Sequence, residues 1–253
     1  MGLGGFSTGG NATFLRIGMG KDDKGGDRAI IGRRAQEGDP GAVQVMFKDE
    51  PVIVDGKPVY RTEHAFIEGN VVAIERTQPE FNGKKVDMLV IRIDSGGEQY
   101  ALQIPKGDDY WLDLACRCPN VDWSKSVKLQ PYSIPQEDSK YSNRFLVIYQ
   151  DGGKVEKAHK VKWMREVPDD YVQDAAQPPP FTYDADESAW RKGKTLRWLD
   201  EGPIQKAIDK VKFLNEQPEQ KTALDAAAEH AQRKAEPDPF ALPKEEEDDE
   251  LPW

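Results

Sequence analysis

Aromatic rings and cations alternate along two short polar stretches of this chain. QPEFNGKK places Phe81 beside Lys84 and Lys85, and QEDSKYSN places Lys140 and Tyr141 just before Arg144. Holding a single nucleic-acid strand requires two things: cations that follow the phosphates, and exposed rings that stack on bases, each ring worth about 1–3 kcal/mol. Neighbouring runs continue the pattern. In VKLQPY, strand alternation puts Lys128, Gln130 and Tyr132 on one side and Val127 and Leu129 on the other. Trp123 and Lys125 stand just ahead of that run. Residues 120–165 carry nine Lys/Arg against five acids, and residues 1–34 carry six against three. The second group is Arg16, Lys21, Lys24, Arg28, Arg33 and Arg34, arranged around GKDDKGG, a loop able to fold over a bound strand.

Catalytic chemistry has far less support. His64, His159 and His230 stand far apart and form no HExxH or other metal spacing. Cys116 and Cys118 make neither a disulfide framework nor a four-ligand zinc set. GMGKDD lacks the Ser/Thr and the upstream glycine of a phosphate loop, and no GxSxG occurs. The acidic pairs Asp22/Asp23 and Asp108/Asp109 read as turn and cap residues. The sequence therefore predicts a protein without catalytic residues, metal or cofactor.

The elements that must position the rings and cations are mostly strands. TFLRIGM (13–19) and RAIIGRR (28–34) flank the Gly/Asp loop. EHAFIEGNVVAIERT (63–77) reads as one long strand bent at Gly69. Asn82-Gly83 signals a hairpin into VDMLVIRID (86–94), and Gly96-Gly97 another into EQYALQIP (98–105). After Gly107 the period changes: Asp108 or Asp109 caps a helix carrying Tyr110, Trp111, Leu114, Ala115 and Cys118, ended by Pro119. Strands resume at 126–134, 144–150 and 154–163. Three strands, a helix and two further strands is the order of the OB-fold, a five-stranded Greek-key barrel, here with extra N-terminal strands. The loops 78–85 and 136–143 are the two with which that fold grips oligonucleotides. The fold class expected is mainly β: an OB-fold, with a generic β-sandwich as the alternative, C-terminal helices and a disordered acidic tail.

The expected boundaries are a flexible N-terminus over 1–12, the OB-fold body over 13–170, a Pro-rich linker over 171–188, a helical extension over 189–235 and an acidic tail over 236–253. Gly202-Pro203 is read as opening a helix with Ile204, Ala207, Ile208, Val211 and Leu214 on one face. A second, Ala-rich helix is expected over 222–235.

The net charge of −10 is unevenly spread. Residues 1–168 are neutral, 169–235 carry −3, and 236–253 carry −7. A pI near 5 normally argues against a nucleic-acid partner, but here it averages a neutral body with an acidic tail, the pattern of an interaction tail. Mean hydropathy is −0.73 and no apolar run approaches the length of a membrane span. The first residues lack the features of a secretory signal, so the expected location is the cytoplasm.

The tail ends Glu245-Glu246-Glu247-Asp248-Asp249-Glu250-Leu251-Pro252-Trp253. Large apolar side chains and a carboxylate at the tip of a charged tether suit a basic pocket with an apolar slot on a partner. In this the chain resembles the single-stranded DNA-binding proteins of bacteria and their phages, the phage-encoded members more closely. Their bacterial tails end in acidic residues and then Ile-Pro-Phe, and Glu250-Leu251-Pro252-Trp253 stands in the same places. The resemblance implies a non-enzymatic protein that coats single-stranded DNA in replication, recombination and repair. It also implies that the tail recruits partners such as a polymerase, helicase, recombinase or nuclease, in the host cytoplasm for a phage protein. Two alternatives remain: an adaptor or assembly factor acting through its tail without binding DNA, and a nuclease whose carboxylate cluster the sequence does not reveal.

Overall fold

The computed structural model describes residues 12–21, 27–47, 50–81, 83–135, 142–164, 170–182 and 193–216. The chain divides into two compact units, 1–213 and 214–253; apart from the last residues of one helix, every feature below belongs to the first. The described residues are mainly β. Strands β1 (Thr13–Lys21) and β2 (Asp27–Ala35) form a hairpin, followed by the short β3 (Ala42–Gln44) and by β4 (Tyr60–His64). Then come β5 (Ile67–Thr77), β6 (Met88–Ser95), β7 (Glu98–Pro105), helix α1 (Asp109–Arg117), β8 (Val127–Pro135), β9 (Ser142–Gln150) and β10 (Gly153–Lys154). All ten strands join one sheet in the order β10-β9-β8-β5-β6-β7-β1-β2-β4-β3. Every neighbouring pair is antiparallel except β7 with β1, which run parallel.

β5 serves two neighbours. Ile67–Gly69 pairs with β8, while Asn70–Thr77 pairs with β6, and the register slips by one residue between Arg92 and Ile93. Gly69 stands at the changeover, as the sequence predicts. A Cβ there would lie 2.8 Å from Cγ2 of Ile93 and 2.9 Å from the carbonyl carbon of Asp94, and closer still to that carbonyl's oxygen. Only glycine lets the two backbones approach so closely. β2 also lies against β8, although the two are not hydrogen-bonded neighbours.

The core fills from alternate strand positions. Leu15, Leu102, Ile91 and Ile74 stand in one cross-strand row, all at most 5 % exposed. α1 closes one end with Trp111, Leu114 and Ala115. Its cap is Asp108, whose carboxylate accepts from the Tyr110 amide at 2.9 Å. Pro119, in a 3₁₀ turn at Cys118–Asn120, ends it.

Three stretches differ from expectation. Residues 63–77 are two strands rather than one, broken at Ala65-Phe66. The strand expected over 154–163 is limited to Gly153–Lys154 and β11 (Trp163–Met164). Between them the amides of Ala158 and His159 both donate to the Cys116 carbonyl, at 2.9 and 3.3 Å. The last carbonyls of a helix need donors from outside it, and this segment supplies them instead of pairing with a strand. Finally, part of the expected linker is seated. β12 (Phe181–Thr182) pairs in parallel with β11, Phe181 is 2 % exposed against Trp163, and Thr195 Oγ1 donates to the carbonyls of Pro179 and Pro180.

The C-terminal helix starts earlier than expected. α2 (Lys194–Leu199) passes through a wide π turn at Asp200–Ile204 into α3 (Gln205–Glu216). Gly202-Pro203 lies inside that turn, where the missing proline amide interrupts the regular bonding. Leu196, Leu199, Ile204, Ala207 and Val211 are buried, and Asp200 binds Arg76 at 3.0 Å and Lys106 at 2.5 Å. The Ala-rich helix expected over 222–235 and the acidic tail lie outside the described residues. No described helix is long and apolar enough to cross a membrane.

Candidate nucleic-acid interface

Register and pleat assign the side chains to the two faces of the sheet. Glu75, Val90, Gln103, Arg16, Gly32 and Glu63 form one row across β5, β6, β7, β1, β2 and β4. The next row holds Ala73, Arg92, Ala101 and Phe14, with Arg34 opposite Arg61 further along it. These rows face away from the Leu15–Leu102–Ile91–Ile74 core, because successive strand residues point to opposite sides. Arg28 joins the same face by its spacing from Gly32 and Arg34. Five arginines thus share one face, with Ala73, Ala101, Gly18, Gly20 and Gly32 between them and, by the same alternation, the buried Val90 and Ile30.

Some of these cations are already partnered. Arg16 Nε donates to Gln103 Oε1 at 3.1 Å, Arg92 Nε to Glu75 at 3.1 Å, and Arg61 to Glu63 at 2.8 and 2.9 Å. Phe14, 41 % exposed, presents a ring among them.

β5 carries the face onward. Glu68 lies opposite Lys128 of β8, so the outward side of β8 and β9 continues the arginine-bearing surface. Rings gather there. Tyr132 stacks on Phe145 with centroids 5.2 Å apart and planes 13° from parallel. Its hydroxyl bonds to that of Tyr149 at 3.1 Å; burial and this bond push the Tyr132 pKa up to about 12. The Lys128 ammonium sits 3.8 Å from the centre of the Phe66 ring and 5.7 Å from that of Tyr149. Phe66 is 42 % exposed. Since β2 runs against β8, a strand bearing arginines lies next to a strand bearing rings.

The structure sorts the residues singled out in the sequence. Arg16, Arg28, Arg34, Lys128 and Tyr132 lie on this outward face. Arg33 alternates to the opposite face, where its charge acts on the Tyr100 hydroxyl. Arg144 likewise shares a side with Leu146 and Ile148, and its charge lies near Asp109 and Tyr110 of α1. Lys125 is engaged with Asp151 at 2.7 Å, a bond that raises its pKa.

Trp123 must be withdrawn from the binding set. It is 4 % exposed, next to the buried Val121, and plugs the core beyond the 3₁₀ turn instead of reaching a base.

Lys84 and Lys85 are exposed on a two-residue ladder, Phe81 opposite Lys84. That hairpin lies beyond the end of β5 remote from Phe66. Lys21 ends β1. Lys24, Lys140, Tyr141 and the tail residues Glu245–Trp253 lie outside the described residues.

Sequence reasoning overlooked Phe14, Arg61, Phe66, Arg92 and Phe145. Phe14 and Phe145 had a signal, the two-residue spacing to Arg16 and to Val147 and Tyr149. Arg61 and Arg92 had none, being isolated cations in apolar or mixed runs.

Among the described residues no three His, Cys, Asp or Glu side chains gather in a metal-holding group. One cleft of about 470 Å³ opens beside Arg76, Lys106, Trp111 and Asp200, where the ion pairs to Asp200 occupy the cations.

No family model matches this chain. Nor does any curated protein or solved structure.

Proposed function

We propose that this chain is an OB-fold protein that binds single-stranded DNA without sequence preference and acts by coating the strand rather than by catalysis. The observation that carries the reading is the outward face of the sheet, where Arg16, Arg28, Arg34, Arg61 and Arg92 share a surface with Phe14, Phe66, Lys128, Tyr132 and Phe145. Cations at strand spacing with accessible rings between them match a phosphodiester chain whose bases are free to stack. A duplex offers no such bases.

The OB-fold assignment has its own support. β5, β6 and β7 form a meander, α1 follows, and β8 returns to pair with the first half of β5 before β9. A long first strand shared between two halves of a barrel, with the helix between the third and fourth strands, is the order of that fold. Here β1 takes the edge of β7. In this reading the acidic tip recruits replication, recombination and repair proteins such as a polymerase, helicase, recombinase or nuclease.

The test is the anisotropy of fluorescein-labelled oligo-dT titrated with the full chain across a salt series, with duplex of equal length as competitor. Five phosphate contacts predict a log–log salt slope of about −3.5. Replacing Tyr132 and Phe145 together by Ala should weaken binding at least tenfold, given about 1–3 kcal/mol per stacked base. Equal affinity for duplex and single strand would favour the adaptor reading, and the proposal would fall.

A further inference from the structure

Three glycines lie together on the outward face of the β1–β2 hairpin: Gly18 and Gly20 on β1, Gly32 on β2. None has a positive φ, so their backbone conformation does not require glycine. Glycine within a strand costs stability relative to alanine, which makes the absence of side chains here informative. The space they leave is taken up mainly by one ion pair from β4, with the Thr62 carbonyl and the Ile30 side chain also against Gly32. A Cβ on Gly20 would stand 2.7 Å from Oε2 of Glu63, one on Gly32 3.4 Å from Cδ of Arg61, and one on Gly18 3.5 Å from Nη1 of Arg61. Arg61 lies flat across this floor, donating to Glu63 at 2.8 and 2.9 Å and to the Met19 carbonyl.

Resting on the single-strand reading above, we infer that the Arg61–Glu63 pair is a displaceable cover over the path of the phosphodiester chain. Glu63 is the positioning residue: it stretches Arg61 across the glycine floor and competes with phosphate oxygens for its guanidinium. Three observations converge. The pair is part-buried but reaches solvent, its side chains 21 % and 15 % exposed, so it can exchange partners. Its surroundings are cationic, with Arg34 opposite Arg61 and Arg16 opposite Gly32, so an anion is drawn to this spot. Beneath the pair Gly18, Gly20 and Gly32 carry no side chain, and the buried Ile30 lies beside Gly32, so the backbone can be approached once the pair opens. A phosphodiester that engages Arg61 meets the Glu63 carboxylate as a like charge, and removing that charge favours the ligand.

Glu63→Gln keeps the shape and removes the charge. It should tighten oligo-dT binding about fivefold at low salt and leave the salt slope close to the wild type's, since Arg61 is already among the five phosphate contacts. The gain must vanish when Arg61→Met is added. Gly20→Ala reaches the same end by crowding the carboxylate off the floor, and stands in should Glu63→Gln fail to fold.

Oligo-dT binding by the wild-type chain separates the two claims. If the wild type does not bind at all, the single-strand reading fails and this inference with it. If it binds but Glu63→Gln binds equally or more weakly, the cover alone is overturned. A gain that survives Arg61→Met is a general charge effect and also overturns it.

Discussion

Gly69→Ala tests the joint on which the surface depends. At Gly69, β5 leaves β8 for β6, and the added methyl would come within 2.9 Å of the Asp94 carbonyl carbon and 2.8 Å of Cγ2 of Ile93. Ile93 is fully buried and the carbonyl belongs to a paired strand, so neither yields as the end of a flexible side chain would. Overpacking of this kind costs about 1–3 kcal/mol. The smaller entropy of the unfolded alanine chain offsets about 0.4–1 kcal/mol of that, leaving a net loss of about 1–2 kcal/mol. Gly153→Ala is the control, because its Cβ would meet only the Gln150 carbonyl oxygen, at 3.6 Å. Urea unfolding followed by tryptophan fluorescence should lower the midpoint for Gly69→Ala at unchanged m, and leave Gly153→Ala within about 0.5 kcal/mol of wild type. A Gly69→Ala protein as stable as the control would refute the close approach, and with it the view that one strand holds both halves of the sheet together.

Further outcomes follow from other sites. Asp113 and Arg117 are buried on α1 3.6 Å apart, with Lys157 also on the carboxylate; Asp113→Ala leaves the arginine uncompensated and should cost about 3 kcal/mol in urea unfolding, whereas a loss below about 1 would remove the pair from the structural account. Burial pushes the Cys116 thiol up to about 11 and Cys118 higher still, so neither should react with Ellman's reagent in the native protein at pH 8, and both should react in guanidinium chloride. Deleting residues 244–253 removes six acids and one lysine, five of the seven net negative charges of 236–253. It should tighten oligo-dT binding most clearly at low salt; unchanged or weaker binding would show that the tail does not compete with DNA.

Local patterns were readable wherever one element decides them. EQYALQIP alternates as a strand and spans 98–105 as read, Asp108 caps its helix, and Gly69 marks the changeover in β5. Pairing over long distances was not readable. The row from Glu75 to Glu63 depends on β1 joining β7, whose partners Thr13 and Tyr100 are 87 residues apart, and no local spacing encodes that choice. Arg61 and Arg92 therefore looked like isolated cations until the sheet aligned them. Trp123 failed for the opposite reason: a ring beside a lysine reads as a platform, yet the turn after α1 directs it inward. In 155–162 the alternation of Lys with apolar residues was real, but the Cys116 carbonyl at the end of α1 captured the amides of Ala158 and His159.

The parallel seam between β1 and β7 also sets a timetable for the newborn chain. Of the sheet's strands the β1–β2 hairpin is made first, and it can dock only after about seventy further residues have followed, because its partner is the seventh strand. Until then it offers an unpaired edge with Leu15 and Ile31 uncovered. Docking of the β1–β2 hairpin is thus a late event, and it is this event that brings Arg16, Arg28 and Arg34 alongside Arg92.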